Sequence, residues 1–310
     1  PAYQGLMPDC VPEEQRGVTA GFVGGMTILG NIVGLGLAAW LLGGVNQHAV
    51  STSVIRYNAG IYYIITSLLV LVGVLITVFG VREIPLLGNK SIYTSRKEKN
   101  WLALSRSYLY AWSEPWSEHN FRMVFLARVS LILGLTLFMT FIEYYFARVQ
   151  HIANFVLVTG IVAMLALGGA VVSGLVSGIL SDRFRRRAPV VCVATLCMSM
   201  AALAFVIFPA TLITWLWLLG VLFGLGYGAY TSVNWALSID VLPSLEKAGK
   251  DLGIWNASTT LPTIVAPLLG SLIINVAAGA GQTALGYRAV FGTAALFFFL
   301  AAAAMFFVKK

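Results

Sequence analysis

The sequence predicts an all-α membrane protein, a helical bundle with about eight transmembrane helices, and three observations support this. Apolar runs recur along the 310 residues, each long enough to cross a bilayer, which takes roughly 20 mostly apolar residues. Hydrophobic residues make up 59% of the chain and charged residues only 10%, against about 25% in soluble domains. Basic residues gather in alternate loops. A soluble protein of this length could not bury so many apolar runs.

The first four spans are bounded by charged residues or long loops. The first follows Arg16 and the second follows Arg56. The third begins at Phe121, after a long basic loop, and the fourth ends before Asp182. The eight predicted spans are 17–44, 57–81, 121–147, 155–181, 188–209, 212–237, 252–277 and 287–308.

The last four spans have their own markers. The fifth follows Arg187, and the sixth carries the glycine run 224–228, where small residues favour close helix packing. This run lies in lipid without a preceding strand, so we do not expect it to bind phosphate. Pro262 and Pro267 interrupt the seventh span, and each removes a helix hydrogen bond. The eighth ends before Lys309.

The charge distribution predicts the orientation. With the first residues in the cytoplasm, the loops that carry most Lys and Arg fall on that side, and Arg56, Arg148 and Arg288 fall outside. The positive-inside rule therefore places both termini in the cytoplasm, and we expect the plasma membrane. Nucleic-acid binding is disfavoured, because the basic loop 183–187 is too short to present a groove-sized surface.

An internal repeat predicts the domain organisation. The turn Asp9-x-x-Pro12 is echoed by Asp240-x-x-Pro243, and each turn precedes a glycine-containing apolar helix. Six spans separate the two copies, which predicts repeating units of six helices, a common construction of transporters. We expect residues 1–82 to be the last two helices of a first bundle whose other four are absent from the sequence. Residues 83–120 would be a cytoplasmic linker with an interfacial helix at 97–118, and 121–310 a second, six-helix bundle.

Two loops carry a resemblance to a known family. The segment Gly178-Ile179-Leu180-Ser181-Asp182-Arg183-Phe184-Arg185-Arg186-Arg187 is similar to the signature loop G-x-L-x-D-R-x-G-R-[KR] of the major facilitator superfamily, from which it departs at Arg185. The segment from Asp9 through Arg16 and Gly17 resembles the family's loop between helices four and five. The chain therefore resembles helices 5–12 of a twelve-helix transporter.

The resemblance implies a gating role for these loops. Asp182 would face the start of the first span near Gly17, where the helix dipole favours an acid by roughly 0.3–1 kcal/mol. A plain positive-inside anchor is the alternative. The candidate gating residues are Gly178, Asp182, Arg183, Arg186, Arg187, Asp9, Arg16 and Gly17.

Polar residues inside the spans are the candidate solute-binding residues, because such groups are costly in lipid. They are Asn31, Arg128, Glu143, Tyr144, Asn234, Trp235 and Asn256. Arg128 could instead snorkel or pack within the bundle, and the amides could join helices. Glu143 lies near the outer end, where it is a candidate for proton coupling or is simply hydrated. The amides and aromatics together suit a sugar or another neutral polar solute.

These observations predict a secondary transporter of a small solute that works by alternating access. Solute movement is either coupled to an ion gradient, for which protons and symport are favoured, or runs downhill. The expected partners are the solute, H⁺ and the lipid bilayer. We expect no cofactor, no metal and no enzymatic activity, because His48, His119 and His151 are scattered and no P-loop or Gly-x-Ser-x-Gly occurs. A membrane receptor or scaffold of the same fold, or an inactive truncated transporter, remain the alternatives.

Overall fold

The structure, a computed structural model, describes residues 16–42, 52–80, 114–184, 187–208, 212–240 and 248–308. Eight long α-helices and one 3₁₀ turn make up most of these residues, so the predicted all-α fold is confirmed. The helices are α1 (Arg16–Leu42), α2 (Thr52–Gly80), α3 (His119–Arg148), α4 (Phe155–Phe184), α5 (Ala188–Ile207), α6 (Leu212–Asp240), α7 (Ala248–Gly279) and α8 (Thr283–Phe306).

Seven of the described helices, α2 to α8, are long and apolar enough to cross a membrane. The remaining helix, α1, contributes a shorter apolar stretch, Phe22–Ala38. Several helices extend past the predicted spans, and α2 starts at Thr52 rather than residue 57. The spans were placed by apolar content, whereas helical hydrogen bonding continues through polar residues at the membrane edge.

Helices α3 to α8 pack around an aromatic core. α8 packs against α3, α5 and α7, while α6 packs against α4 and α5. Phe138 of α3 stacks on Phe223 of α6 with ring centroids 4.5 Å apart, and Phe205 of α5 stacks on Phe291 of α8 at 4.7 Å. Lipid tails are as apolar as these side chains, so the contacts gain no hydrophobic free energy from leaving lipid. They stabilise the bundle through close van der Waals packing.

Glycines bring α6 against α4. A Cβ atom placed on Gly224 would overlap the carbonyl oxygen of Ala166, and one placed on Gly228 would overlap that of Ala170. The absence of a side chain at these two positions therefore sets the separation of the two helices. This is the role that the glycine run in the sixth predicted span indicates.

The first two helices are packed differently from the other six. α1 lies against α4 and α6, and a Cβ atom on Gly24 would come within 3.4 Å of the backbone of Ser232. α2 contacts α1, and no side chain in its apolar window is buried. The predicted domain boundaries remain predictions.

The predicted linker falls mostly outside the described residues. The interfacial helix is expected at 97–118, and of this segment the structure describes the 3₁₀ turn Glu114–Ser117 and the following residue, Glu118. Trp116 of this turn packs edge-on against Phe125, with ring centroids 4.7 Å apart, and so fixes the start of α3.

Candidate functional site

Arg128 of α3 is the centre of a polar cluster inside the helical bundle. Its Nη1 donates a hydrogen bond to Oδ1 of Asn234 at 2.6 Å. Its Nε and Nη2 both donate to Oγ1 of Thr259, at 3.2 and 3.0 Å. Its guanidinium carbon lies 4.7 Å from the ring centroid of Trp255, a cation–π geometry. One side chain therefore joins α3, α6 and α7.

The helices place these partners by their register. Trp255 and Thr259 stand four residues apart on α7, so both lie on the same face. Trp255 is 1% exposed and also packs against Phe121 of α3, which holds the indole under the guanidinium. Arg128 lies nine residues after the first residue of α3, about 14 Å along the helix, so it is well inside the span.

The electrostatics of the cluster are unusual for a membrane interior. The partners of Arg128 described above are an amide, a hydroxyl and an indole, all neutral. Among the side chains that the structure describes, the carboxylates are those of Glu118 and Glu143, and neither forms an ion pair with Arg128. The Tyr230 hydroxyl, one turn before Asn234 on α6, is buried and lacks a hydrogen-bond partner within that described part of the chain. It also lies within electrostatic reach of Arg128.

The structure brings some predicted solute-binding residues together and separates others. Arg128 and Asn234 are in direct contact, and the half-buried Asn256 lies three residues from Thr259 on α7. Trp235 follows Asn234 in α6, but its side chain is outside the described residues. Of the two alternatives to solute binding, packing within the bundle rather than snorkelling fits these contacts, because three of the donors of Arg128 are engaged with α6 and α7.

The other predicted residues lie away from this cluster. Asn31 is exposed on α1. Glu143 and Tyr144 are exposed near the end of α3, and Glu143 is fifteen residues, or about 22 Å, along the helix from Arg128. The two charged groups therefore do not share one site in this conformation.

The predicted gating residues are described in part. Asp9 and Arg186 lie outside the described residues. The backbones of Arg16, Gly17, Asp182 and Arg183 are helical, but the side chains of Arg16, Asp182 and Arg183 are outside the described part of the structure. Arg187 occupies the N-cap position of α5 and is half-buried. A Cβ atom on Gly178 would lie 3.0 Å from Oγ of Ser232, so α4 and α6 are close at this level.

Sequence reasoning missed Thr259 and Tyr230. A signal for the first was present: Asn256, Thr259 and Thr263 recur at a spacing of three and four on α7, which puts polar groups on one face of a spanning helix. A similar spacing holds for Tyr227, Tyr230 and Asn234 on α6.

The comparison with known families decides the classification. The family model described as Major Facilitator Superfamily matches residues 1–243 and, in a second match, residues 124–310. The chain belongs to the Major Facilitator Superfamily. A search of curated proteins found no match. With its apolar helices, membership of this superfamily makes the chain a multi-pass integral membrane protein and a membrane transporter.

Proposed function

We propose that this superfamily member is a secondary transporter that moves a small solute by alternating access and draws on an ion gradient, with protons as the favoured ion. The observation that carries the proposal is the Arg128 cluster. A charged side chain inside a span is costly, and such residues mark solute or ion pathways. Here the charge on α3 is held by neutral groups from two other helices, α6 and α7, so a rearrangement of any of the three helices changes the site.

The orientation and the bundle organisation are parts of the same proposal. The positive-inside distribution supports cytoplasmic termini and a plasma-membrane location. The two overlapping family matches, which share residues 124–243, support an internal repeat and a boundary near residues 83–120. Glu143 is the candidate for proton coupling, at a distance from the solute site.

The gating role of the signature loop is a further part of the proposal. Asp182 lies in the last turn of α4, beyond Gly178, and α4 packs against α1. This arrangement supports a contact between the Asp182 carboxylate and the start of α1. Asp182→Asn is expected to lower the uptake rate while membrane insertion is retained. Wild-type uptake by that variant would remove the gating assignment.

Uptake into reconstituted vesicles tests the function. The full chain is inserted into liposomes, a pH gradient is imposed, and accumulation of labelled sugars, amino acids and organic acids is followed. We expect one class to accumulate, and a protonophore to abolish the accumulation. Protein-free liposomes are the control.

A folded, reconstituted protein that moves none of these solutes faster than the protein-free control would contradict transport and favour a receptor or scaffold. Accumulation that survives the protonophore, but not removal of another ion gradient, would overturn proton coupling alone.

A further inference from the structure

The guanidinium of Arg128 has unused hydrogen-bonding capacity. An arginine carries five N–H donors in a fixed planar fork. Three of the donors on Arg128 are engaged with Asn234 and Thr259. Counting only partners among the described side chains, one N–H therefore remains on each terminal nitrogen. Because the three engaged donors fix the plane of the group, the remaining two are already oriented.

The positive charge of this group has no counter-charge among the described side chains, whose carboxylates are those of Glu118 and Glu143. Neutral partners satisfy donors but do not cancel charge, and a cation in the middle of a span costs several kcal/mol unless an anion or water reaches it. The indole of Trp255 offsets part of this cost. The part of the cost that the indole does not offset favours the binding of any anion that can reach Arg128.

The surroundings of Arg128 are open on a polar side. On α7, the half-buried Asn256 and Thr259 and the exposed Thr263 lie within about 60° of one another around the helix, at 3.6 residues per turn. The exposed Leu268 lies about 180° from Thr259. α7 thus has one exposed apolar face, which suits lipid, and a separate exposed polar face, which suits water or solute.

Tyr230 adds an unpartnered donor. The side chain is 8% exposed, and its hydroxyl has no hydrogen-bond partner within the described part of the chain. A buried hydroxyl without a partner costs free energy, so a ligand that accepts its hydrogen bond is favoured. Because Tyr230 and Asn234 are one turn apart on α6, the hydroxyl stands on the same side as the Arg128 contact.

We propose that Arg128 binds an anionic group of the transported solute, a carboxylate or phosphate, through its two uncommitted N–H groups, with the Tyr230 hydroxyl as a third donor. This rests on the proposed transport function and names its substrate class as organic anions. It replaces the neutral solute that the amides and aromatics by themselves suggest. Arginine matches carboxylate and phosphate geometry with two parallel hydrogen bonds.

A charged-reagent experiment tests the site without knowledge of the natural solute. Thr263→Cys places a thiol one turn from Thr259 on the polar face of α7. The purified full chain is treated with an anionic sulfonatoethyl or a cationic trimethylammonioethyl thiosulfonate, and labelling at position 263 is followed by peptide mass spectrometry. Leu268→Cys, on the apolar face, is the matched control and should react slowly with both reagents when lipid is present.

We expect the anionic reagent to react faster, and Arg128→Gln to lower the anionic-to-cationic rate ratio roughly tenfold, as the field of one nearby charge implies. Arg128→Lys should retain most of the preference. Gluconate and inorganic phosphate should slow the labelling of the Thr263→Cys protein, whereas glucose should not. This last measurement keeps Arg128 intact, so it stands even where the Gln variant does not fold.

The outcomes separate the sources of the anion. Protection by gluconate or phosphate in lipid-free maltoside micelles supports a soluble anion, whereas protection that needs added phospholipid assigns the site to a lipid headgroup and overturns the proposal. A thiol at 263 that neither reagent reaches, equal rates for the two reagents, or equal protection by glucose and gluconate would also overturn it. Labelling requires no transport, so a failed uptake assay with successful protection would reject the transport function and leave the anion site.

Discussion

Arg128 and Arg288 are both half-buried arginines on membrane-spanning helices, yet they bind different kinds of partner. Arg288 of α8 donates through Nε and Nη2 to one backbone carbonyl, that of Val206 at the end of α5, at 3.2 and 2.6 Å. Arg128 instead donates to side chains on two other helices. A helix-end carbonyl lacks an intrahelical partner, so Arg288 satisfies a group that α5 leaves open.

The two arginines differ in the type of their partners and in their depth along the helix. Arg288 lies five residues into α8, about 8 Å from its start. Its partner is backbone and moves only when α5 moves. Arg128 lies deeper, its hydrogen-bond partners are side chains on two other helices, and two of its N–H groups remain for the proposed ligand. The same residue type therefore supports a helix end at position 288 and, in our proposal, binds solute at position 128.

The largest expected effect that separates the two arginines is on transport. Arg128→Gln should lower uptake of the transported solute by about tenfold to a hundredfold, because a charge-assisted hydrogen bond of about 1.5–3 kcal/mol is lost. Uptake by Arg288→Gln, measured in parallel and normalised to folded protein, should stay within about twofold of wild type, because we expect no solute to bind at Arg288. Equal losses in both variants would contradict the contrast.

A smaller effect is expected from a conservative change at the same site. Arg128→Lys keeps the charge but replaces the planar fork by a single ammonium group, which cannot hold Asn234, Thr259 and a ligand together. We expect the KM for the solute to rise severalfold while the maximal rate changes less. An unchanged KM would indicate that charge alone, and not the fork, acts at this position.

For the stability of the bundle we expect the opposite order, with a larger loss for Arg288→Gln than for Arg128→Gln. Arg288→Gln leaves the Val206 carbonyl with weaker support and should destabilise the folded state by about 1 kcal/mol, the upper range for polar contacts between membrane helices. The melting temperature in detergent should fall by a few degrees. A larger fall for Arg128→Gln than for Arg288→Gln would assign Arg128 a mainly structural role.

The smallest effect on solute binding is expected at Glu143. It is exposed and about 22 Å along α3 from Arg128, so Glu143→Gln should leave the KM for the solute unchanged. Because glutamine cannot take up a proton, the pH dependence of uptake should become flatter. A pH profile that matches wild type would exclude Glu143 as the coupling group.

The sequence predicted the helices well because membrane spans are specified locally. The length of an apolar run and its charged flanks, such as Arg187 before α5, are visible without knowledge of the fold. The site was predicted in part. Arg128 and Asn234 stand out as polar residues in apolar runs, but their contact joins positions 106 residues apart, which no local pattern specifies.

Thr259 shows why the remainder escaped prediction. A threonine in a spanning helix usually returns its hydroxyl to its own backbone, as Thr231 does to the carbonyl of Tyr227, and so draws no attention. The spacing of polar residues on α7 predicts the helix face on which Thr259 lies. Only the packing of α3 against α7 shows that this face contacts an arginine. The same packing makes Trp255 a partner of Arg128 rather than a lipid-facing aromatic.

Accessibility of the Arg128 site from the two sides of the membrane tests the central claim most directly. Thr263→Cys is labelled with a membrane-impermeant thiol reagent in right-side-out and inside-out vesicles, and the label at position 263 is quantified. Alternating access predicts labelling from both sides, with a transported solute shifting the ratio between them. Labelling confined to one side whatever the solute or ion gradient, or no labelling from either side, would contradict a transport pathway through this cluster.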